Sequence, residues 1–350
     1  MSLVVDIRKQ LGAFRLDVSF EAESGAITGL LGASGCGKSV TLRCIAGVER
    51  PDEGRIVLDG RTLFDAEKHI DLPPQKRRVG YLFQNYALFP NMTVEQNIAV
   101  GVADRRARRE TVERLVEAFR LEGQERKYPR QLSGGQQQRT ALARILASAP
   151  QALLLDEPFS ALDSYLRWQV ELELADRLAA FPGPTVFVTH AREEIYRLCS
   201  RACVLDQGRS APMQSVKELF DAPATLSACL LSGCKNISRI RRLEGGRVEA
   251  LDWGAVLETG RAVPEDCTHV GIRAHYLLPR PDPAVNAVPC RVERVVEDVF
   301  STVVMLSTPG GREGFSLLRL ELGKADWAAL GGPQELTLGL PPKDLMLLRS

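Results

Sequence analysis

Residues Gly32, Ala33, Ser34, Gly35, Cys36, Gly37, Lys38 and Ser39 follow the apolar run Ala26-Ile27-Thr28-Gly29-Leu30-Leu31 and precede the helix-like stretch Val40–Ala46. A glycine loop between a strand and a helix start wraps bare N–H groups around a triphosphate, and the helix N-terminus adds partial positive charge. In that frame Lys38 offers a point charge to the β- and γ-phosphates, and Ser39 offers a hydroxyl to Mg²⁺. A second anion-seeking helix start lies at Ser133, Gly134, Gly135 and Gln136, where a capping hydroxyl and two glycines precede the apolar-periodic stretch through Ala141, Leu142, Ile145 and Leu146. One nucleotide could be gripped between two such termini.

The other chemical groups stand at strand ends. The run Ala152-Leu153-Leu154-Leu155 ends in Asp156 and Glu157. A carboxylate there can hold the Mg²⁺ shell while its neighbour polarises water, so Asp156 is the metal-side candidate and Glu157 the general base. Gln84 closes the segment Arg77-Arg78-Val79-Gly80-Tyr81-Leu82-Phe83, which reads as a strand, and can reach the metal or the attacking water. His190 ends the strand Thr185-Val186-Phe187-Val188-Thr189, whose end should lie beside that of the Asp156 strand, within reach of the γ-phosphate.

The elements that position these groups alternate strand and helix. Residues 3–22 alternate apolar and polar positions, as a strand pair does, and Arg55–Gly60 reads as a strand closing in a turn. Phe14 is either a core aromatic or a platform for adenine. Val112, Leu115, Val116 and Phe119 mark an amphipathic helix over 104–121, with arginines 105, 106, 108 and 109 on its solvated face. The loop-like segment holding Tyr86, Leu88, Phe89 and Met92 is apolar, which fits a docking surface for another protein or burial within its own domain.

The 350-residue length suits two domains. With 45 basic and 44 acidic residues, the chain has no bulk attraction for nucleic acid or anionic lipid. Asp6, Arg8 and Lys9 precede any long apolar run, and no stretch approaches the ~20 apolar residues of a membrane span, so a cytosolic protein is expected. The eight cysteines are scattered and read as reduced core thiols rather than a zinc site.

Taken in order, the glycine loop at 32–39, Gln84, Leu132-Ser133-Gly134-Gly135-Gln136, Asp156 with Glu157, and His190 resemble the Walker A, Q-loop, signature, Walker B and switch elements of ABC transporter ATP-binding subunits. The resemblance covers roughly residues 1–230, and Asp163 matches the family's D-loop. It implies a P-loop α/β fold of ABC type with a helical subdomain, and ATP and Mg²⁺ as ligands, the metal held by Ser39, Gln84 and, through water, Asp156. It also implies a head-to-tail homodimer in which Ser133, Gly134, Gly135 and Gln136 act on the neighbour's ATP. The partners implied are a membrane permease docked at Tyr86, Leu88, Phe89 and Met92, and indirectly a solute-binding protein outside the cell. That places the chain peripherally on the cytoplasmic face of the membrane. Val40 and Ala191 depart from the Thr or Ser and the Asp usual in the family.

Within the family, Leu63–Lys68 and Lys76–Gln84 look most like molybdate and sulfate importers, the molybdate side closer. From about 231 the pattern changes to short strands with Gly, Pro and Asp turns, so residues 231–350 are expected to form a small all-β unit. Its placement resembles the OB-like regulatory domain called TOBE. Val270–Leu278 faintly parallels Leu338–Met346 within it. The expected function is therefore ATP hydrolysis driving oxyanion import, with molybdate or tungstate ahead of sulfate or thiosulfate. A non-transport ABC ATPase is the alternative of another class, and a P-loop kinase has no use for the signature.

Overall fold

The computed structural model describes residues 2–160, 164–279, 286–311 and 317–350. The chain divides into two compact units, one ending at Val216 and the other covering Lys217–Ser350. Among the described residues no helix is long and apolar enough to cross a membrane.

In the first unit, β1 (Ser2–Leu11) and β2 (Phe14–Glu23) form the hairpin that the alternation predicts, with Leu3 opposite Ala22 and Leu11 opposite Phe14. Leu3, Val5 and Ile7 of β1 and Leu16, Val18 and Phe20 of β2 are buried on one face, as an antiparallel sheet with one covered side requires. Next come β3 (Ile27–Leu31), α1 (Lys38–Ala46), β4 (Glu53–Leu58), β5 (Arg61–Asp65), β6 (Ile70–Asp71), α2 (Pro74–Arg77) and β7 (Val79–Leu82). The helices α3 (Val94–Gly101), α4 (Arg108–Ala118) and α5 (Gly134–Ala147) pack on one another as a helical layer. The remainder is β8 (Ala152–Asp156), α6 (Ser164–Ala179), β9 (Thr185–Thr189), α7 (Arg192–Leu198), β10 (Arg201–Asp206), β11 (Arg209–Ser210) and β12 (Gln214–Ser215).

Five of these strands run parallel in the order β10, β3, β9, β8, β7. Every residue of β8 and β9 is buried, which is why β8 reads as an apolar run up to Asp156 and β9 as a β-branched and aromatic one. The α7 helix is pressed so closely on β3 that a Cβ on Gly29 would lie 2.6 Å from Ile195 Cδ1 and 3.1 Å from Cys199 Sγ. Because the strands are parallel, the loops after β3, β7, β8 and β9 all leave from one sheet edge.

Two expectations need correction. The amphipathic helix is shorter than 104–121: α4 starts at Arg108, Leu115 and Val116 are buried within it, Phe119 is buried just beyond it, and arginines 105, 106, 108 and 109 are exposed. The strand read over 77–84 is confined to β7, because Arg77 ends α2 and is fully buried. Its guanidinium donates to the Cys44, Ile45 and Leu72 carbonyls and pairs with Asp71 at 2.8 Å, so it caps the carboxyl end of α1. Burial lowers its pKa, and Asp71 opposes that shift.

The second unit is built from two antiparallel sheets and short helices. The α8 helix (Val216–Asp221) crosses the division and α9 (Leu226–Leu231) follows it. One sheet orders β15 (Ala255–Glu258), β14 (Arg247–Ala250), β13 (Asn236–Leu243), β16 (His269–Ile272) and β21 (Met346–Leu348). The other orders β19 (Leu318–Gly323), β18 (Ser301–Ser307), β17 (Ala287–Glu297) and β20 (Glu335–Gly339), and α10 (Lys324–Ala329) joins β19 to β20. Trp253, Val270, Ile272, Leu318, Leu338 and Leu340 lie in their common core.

The faint sequence parallel here is structural. Val270–Leu278 and Leu338–Met346 each run from strand into a 3₁₀ turn, at Ala274–Tyr276 and Pro342–Asp344, and bury equivalent residues: Val270, Ile272 and Leu277 match Leu338, Leu340 and Leu345. The two copies pair through reciprocal hydrogen bonds between Leu278 and Gly339.

Replacing Arg77 by Met keeps a long side chain but removes the buried donor of the Ile45 and Leu72 carbonyls and leaves the Cys44 carbonyl only the Gly47 N–H. We expect a stability loss of about 3 kcal/mol in urea unfolding of the nucleotide-free protein. A loss under about 0.5 kcal/mol, the scale of an ordinary surface change, would refute the capping role.

Candidate active site

The glycine loop turns on left-handed Gly35 (φ 79°) and Gly37 (φ 109°), conformations that glycine adopts without steric cost. A Cβ on Gly32 would lie 2.4 Å from the Leu205 carbonyl and 2.5 Å from Cys36 Sγ, so the loop's root accepts only glycine. Ala33, Ser34 and Gly35 are exposed while Cys36, Gly37 and Lys38 are buried, so the rim of the loop is open to a ligand. Lys38 Nζ folds back to donate to the Gly32 and Ala33 carbonyls at 2.7 and 2.9 Å. Its charge thus sits over the cradle. Phe14 is half-buried beside Gly37 and Gly208, packed on the core rather than free of it. Val40 is likewise half-buried against the core.

Ser39 and Asp156 meet as the sequence suggests: Ser39 Oγ donates to Asp156 Oδ1 at 3.0 Å. Tyr81 of β7, which the sequence reading passed over, donates its hydroxyl to Asp156 Oδ2, also at 3.0 Å. Asp156 is 5 % exposed, and burial pushes its carboxyl pKa up while the Ser39 and Tyr81 bonds oppose the rise. Hydroxyl and carboxylate oxygens converging here are hard donors of the kind Mg²⁺ takes, so the residues fit that ion.

Beyond Asp156, Glu157 adopts a left-handed backbone (φ 46°), and its N–H donates to the Val188 carbonyl at 2.9 Å. A non-glycine residue held there carries strain of order 1–3 kcal/mol, which the adjoining strand pairing must sustain. The turn aims the Glu157 carboxylate between two other predicted groups. Gln84 Nε2 donates to Glu157 Oε2 at 3.1 Å, and His190 Nδ1 lies 3.1 Å from Glu157 Oε1. The β8 and β9 ends are neighbours, as expected from the sequence, with Asp156 paired to Val188.

Ser133 caps α5 through a reciprocal box: Gln136 N–H donates to Ser133 Oγ, and Ser133 N–H to Gln136 Oε1 at 2.9 Å. Gly134 and Gly135 form the first helical positions, and the exposed Ser133 leaves this terminus open. Asp163 lies outside the described residues.

The apolar segment after Gln84 is divided. Tyr86 is 3 % exposed, and its hydroxyl donates to the Pro158 carbonyl, so it anchors the loop from within and leaves the docking set. Phe89 is 43 % exposed, and Leu88 and Met92 are half-buried. Two residues that the sequence did not flag hold this shape. Asn97 of α3 donates to the Phe89, Met92 and Thr93 carbonyls and accepts the Phe89 N–H. Arg144 of α5 donates to the Ala87 and Tyr86 carbonyls at 2.7 and 3.0 Å and lies over the Phe89 ring. Arg144 stands out as a basic residue within the apolar run Ala141–Ala147, whereas Asn97 follows Glu95 and Gln96 and carries no such signal.

Because burial disfavours the ionised Asp156, replacing it by Asn should leave the nucleotide-free melting temperature unchanged or raised, while most of the stabilisation by MgATP disappears. That stabilisation is about 3 kcal/mol for the parent at a hundredfold excess over Kd. A nucleotide-free protein several degrees less stable, still fully stabilised by MgATP, would contradict this electrostatic picture.

Comparison with known proteins accords with this geometry. The family model described as ABC transporter matches residues 16–160. A sulfate/thiosulfate import ATP-binding protein of Chromobacterium violaceum is 40% identical over 322 residues, covering 90% of this chain and 85% of that protein. Its counterpart in Nephroselmis olivacea is 45% identical over 229 residues, 64% of this chain and 65% of that relative, just under two thirds of its length. A molybdenum import ATP-binding protein of Paramagnetospirillum magneticum is 39% identical over 223 residues, 63% of this chain and 61% of that protein. Among solved structures, a dimeric post-hydrolysis state of the ATP-binding cassette MJ0796 bound to ADP and Pi superposes with a TM-score of 0.52 at 27% identity. It covers 62% of this chain and 99% of that one. The chain thus has the P-loop ABC fold, and it belongs to the ATP-hydrolysing, ATP-binding subunits of ABC transporters.

Proposed function

We propose that this chain powers a sulfate or thiosulfate importer by hydrolysing ATP in a head-to-tail pair of its own copies docked on a membrane permease. The observation that carries the hydrolytic reading is the Glu157 carboxylate held between Gln84 and His190, beside the Ser39 and Asp156 pair. In this reading Lys38 releases the loop carbonyls to meet the β- and γ-phosphates. Ser39, Gln84 and, through water, Asp156 would hold Mg²⁺, which would supply positive charge against the phosphoryl group being transferred. Glu157 orients the attacking water and takes its proton. His190 steadies that carboxylate and reaches the γ-phosphate.

The open terminus at Ser133, Gly134, Gly135 and Gln136 supports a composite site. The capping box engages the Ser133 and Gln136 N–H groups, so it is the exposed Ser133 hydroxyl and the half-buried Gly134 N–H that would meet the nucleotide of a second copy. Leu88, Phe89 and Met92, held by Asn97 and Arg144, form the proposed permease-docking face, and a solute-binding protein outside the cell would deliver the anion to that permease. The chain would then sit peripherally at the cytoplasmic face. Residues 231–350 would serve as a TOBE-like regulatory domain.

The sequence alone favoured molybdate. The relatives named sulfate/thiosulfate importers are more similar to this chain and align over more of it than the molybdenum one, so sulfate is the better-supported cargo.

Deleting the gene in the source cell should abolish labelled sulfate uptake, and the parent chain should restore it. A Leu88→Ser/Phe89→Ser variant should hydrolyse ATP at the basal rate without restoring uptake. Lost molybdate uptake with intact sulfate uptake would overturn the cargo, unaffected uptake of both anions would overturn oxyanion import, and lost basal hydrolysis in a folded variant would remove the docking role.

A further inference from the structure

One buried carboxylate has no role in the machinery above. Glu194 lies in the first turn of α7 and is 4 % exposed. Its Oε2 accepts a hydrogen bond from Thr189 Oγ1 at 2.6 Å, and the same Thr189 oxygen accepts the Ala191 N–H at 3.0 Å. His190 is the residue between. Ala191 starts α7 but has no side chain able to cap it, so Thr189 supplies from the strand end an acceptor that this helix start lacks.

The arginine one turn along the same helix is not the ion-pair partner of Glu194. Arg197, one turn along, is committed to Glu171 of α6, with Nε and Nη2 at 3.0 and 2.5 Å from Glu171 Oε2, and its guanidinium lies over the Trp168 ring. Glu171 is 2 % exposed, and its other oxygen is buried without a hydrogen bond among the described residues. Burial, together with that neighbouring carboxylate, raises the Glu194 pKa, while the Thr189 bond, Arg167 and His190 oppose the rise. An apolar side chain would fill such a place at lower desolvation cost. What the carboxylate uniquely provides is a strong acceptor for Thr189.

We propose that Glu194 and Thr189 are positioning residues for His190: the buried chain Ala191 N–H to Thr189 Oγ1 to Glu194 fixes the backbone on both sides of the histidine. Nδ1 is thereby kept 3.1 Å from the Glu157 carboxylate. This rests on the reading of His190 as a group acting at the γ-phosphate. Misplacing such a group by about 1 Å can cost on the order of a hundredfold in rate.

The test is steady-state ATP hydrolysis by the full chain. Thr189→Val removes only the hydroxyl and should lower kcat about tenfold while KM for ATP stays within about twofold, because the glycine loop is untouched. Thr189→Ser should recover the parent rate within about twofold. In a His190→Ala background Thr189→Val should have no further effect, which a general loss of stability would not produce. Should Thr189→Val not fold, Glu194→Gln keeps the volume with a weaker acceptor and should lower kcat about threefold. Parent turnover in Thr189→Val, or a full further loss in the His190→Ala background, would overturn the inference while His190→Ala itself stays slow. Parent turnover in His190→Ala would overturn the reading of the histidine, and the inference with it.

Discussion

Everything at the proposed catalytic centre depends on the parallel alignment of β3, β9, β8 and β7. That alignment brings Lys38, His190, Glu157 and Gln84, far apart in sequence, to one sheet edge. The covered sheet demands buried strands, and β8 and β9 are buried at every position, apolar but for Asp156, Thr185 and Thr189. Only at the last residue of β8 does a carboxylate appear, and it is buried. Ser39 and Tyr81 approach it from the glycine loop and from the next strand, so three elements must be in register before Asp156 has its partners.

The site stores cost in two places. Asp156 is desolvated, and Glu157 occupies a left-handed backbone that non-glycine residues rarely adopt. Both lie on the segment whose pairing to β9 is sustained through the Glu157 N–H to Val188. Positive charge brought to the Asp156 carboxylate would relieve the first cost. The second keeps the Glu157 side chain turned toward Gln84 and His190. The signature helix enters the same system from the other side, since Arg144 grips the backbone of Tyr86 and Ala87 just after Gln84. The backbone just after Gln84 is therefore tied to both α5 and the exposed Phe89.

Much of this was legible in the sequence because the motifs are local. The glycine loop, the Ser133 cap and the strand-end residues are read from contiguous types and period alone. What stayed hidden was long-range. Arg77 reads as one more basic residue before a strand, yet it closes the end of α1. Tyr86 sits in an apolar loop, and nothing local says that its hydroxyl turns inward to Pro158. Tyr81 and Arg144 stand in mainly apolar runs while Asn97 and Glu194 follow other polar residues, and the partners of all four come from outside their own elements. The parallel between Val270–Leu278 and Leu338–Met346 was visible only faintly because it preserves burial positions and a 3₁₀ turn more than residue identities. Cargo is a different matter: in the proposed importer the anion would be recognised by partner proteins, so the residues of this chain bear on it only indirectly.

The central claim is that Glu157 is the catalytic base of a site completed by a second copy. The most direct measurement is sedimentation of the Glu157→Gln chain with and without MgATP, paired with its hydrolysis rate. The account predicts a monomer without nucleotide, a stable dimer with it, and turnover reduced at least a hundredfold. Hydrolysis near the parent rate, or a chain that stays monomeric at saturating MgATP, would contradict it.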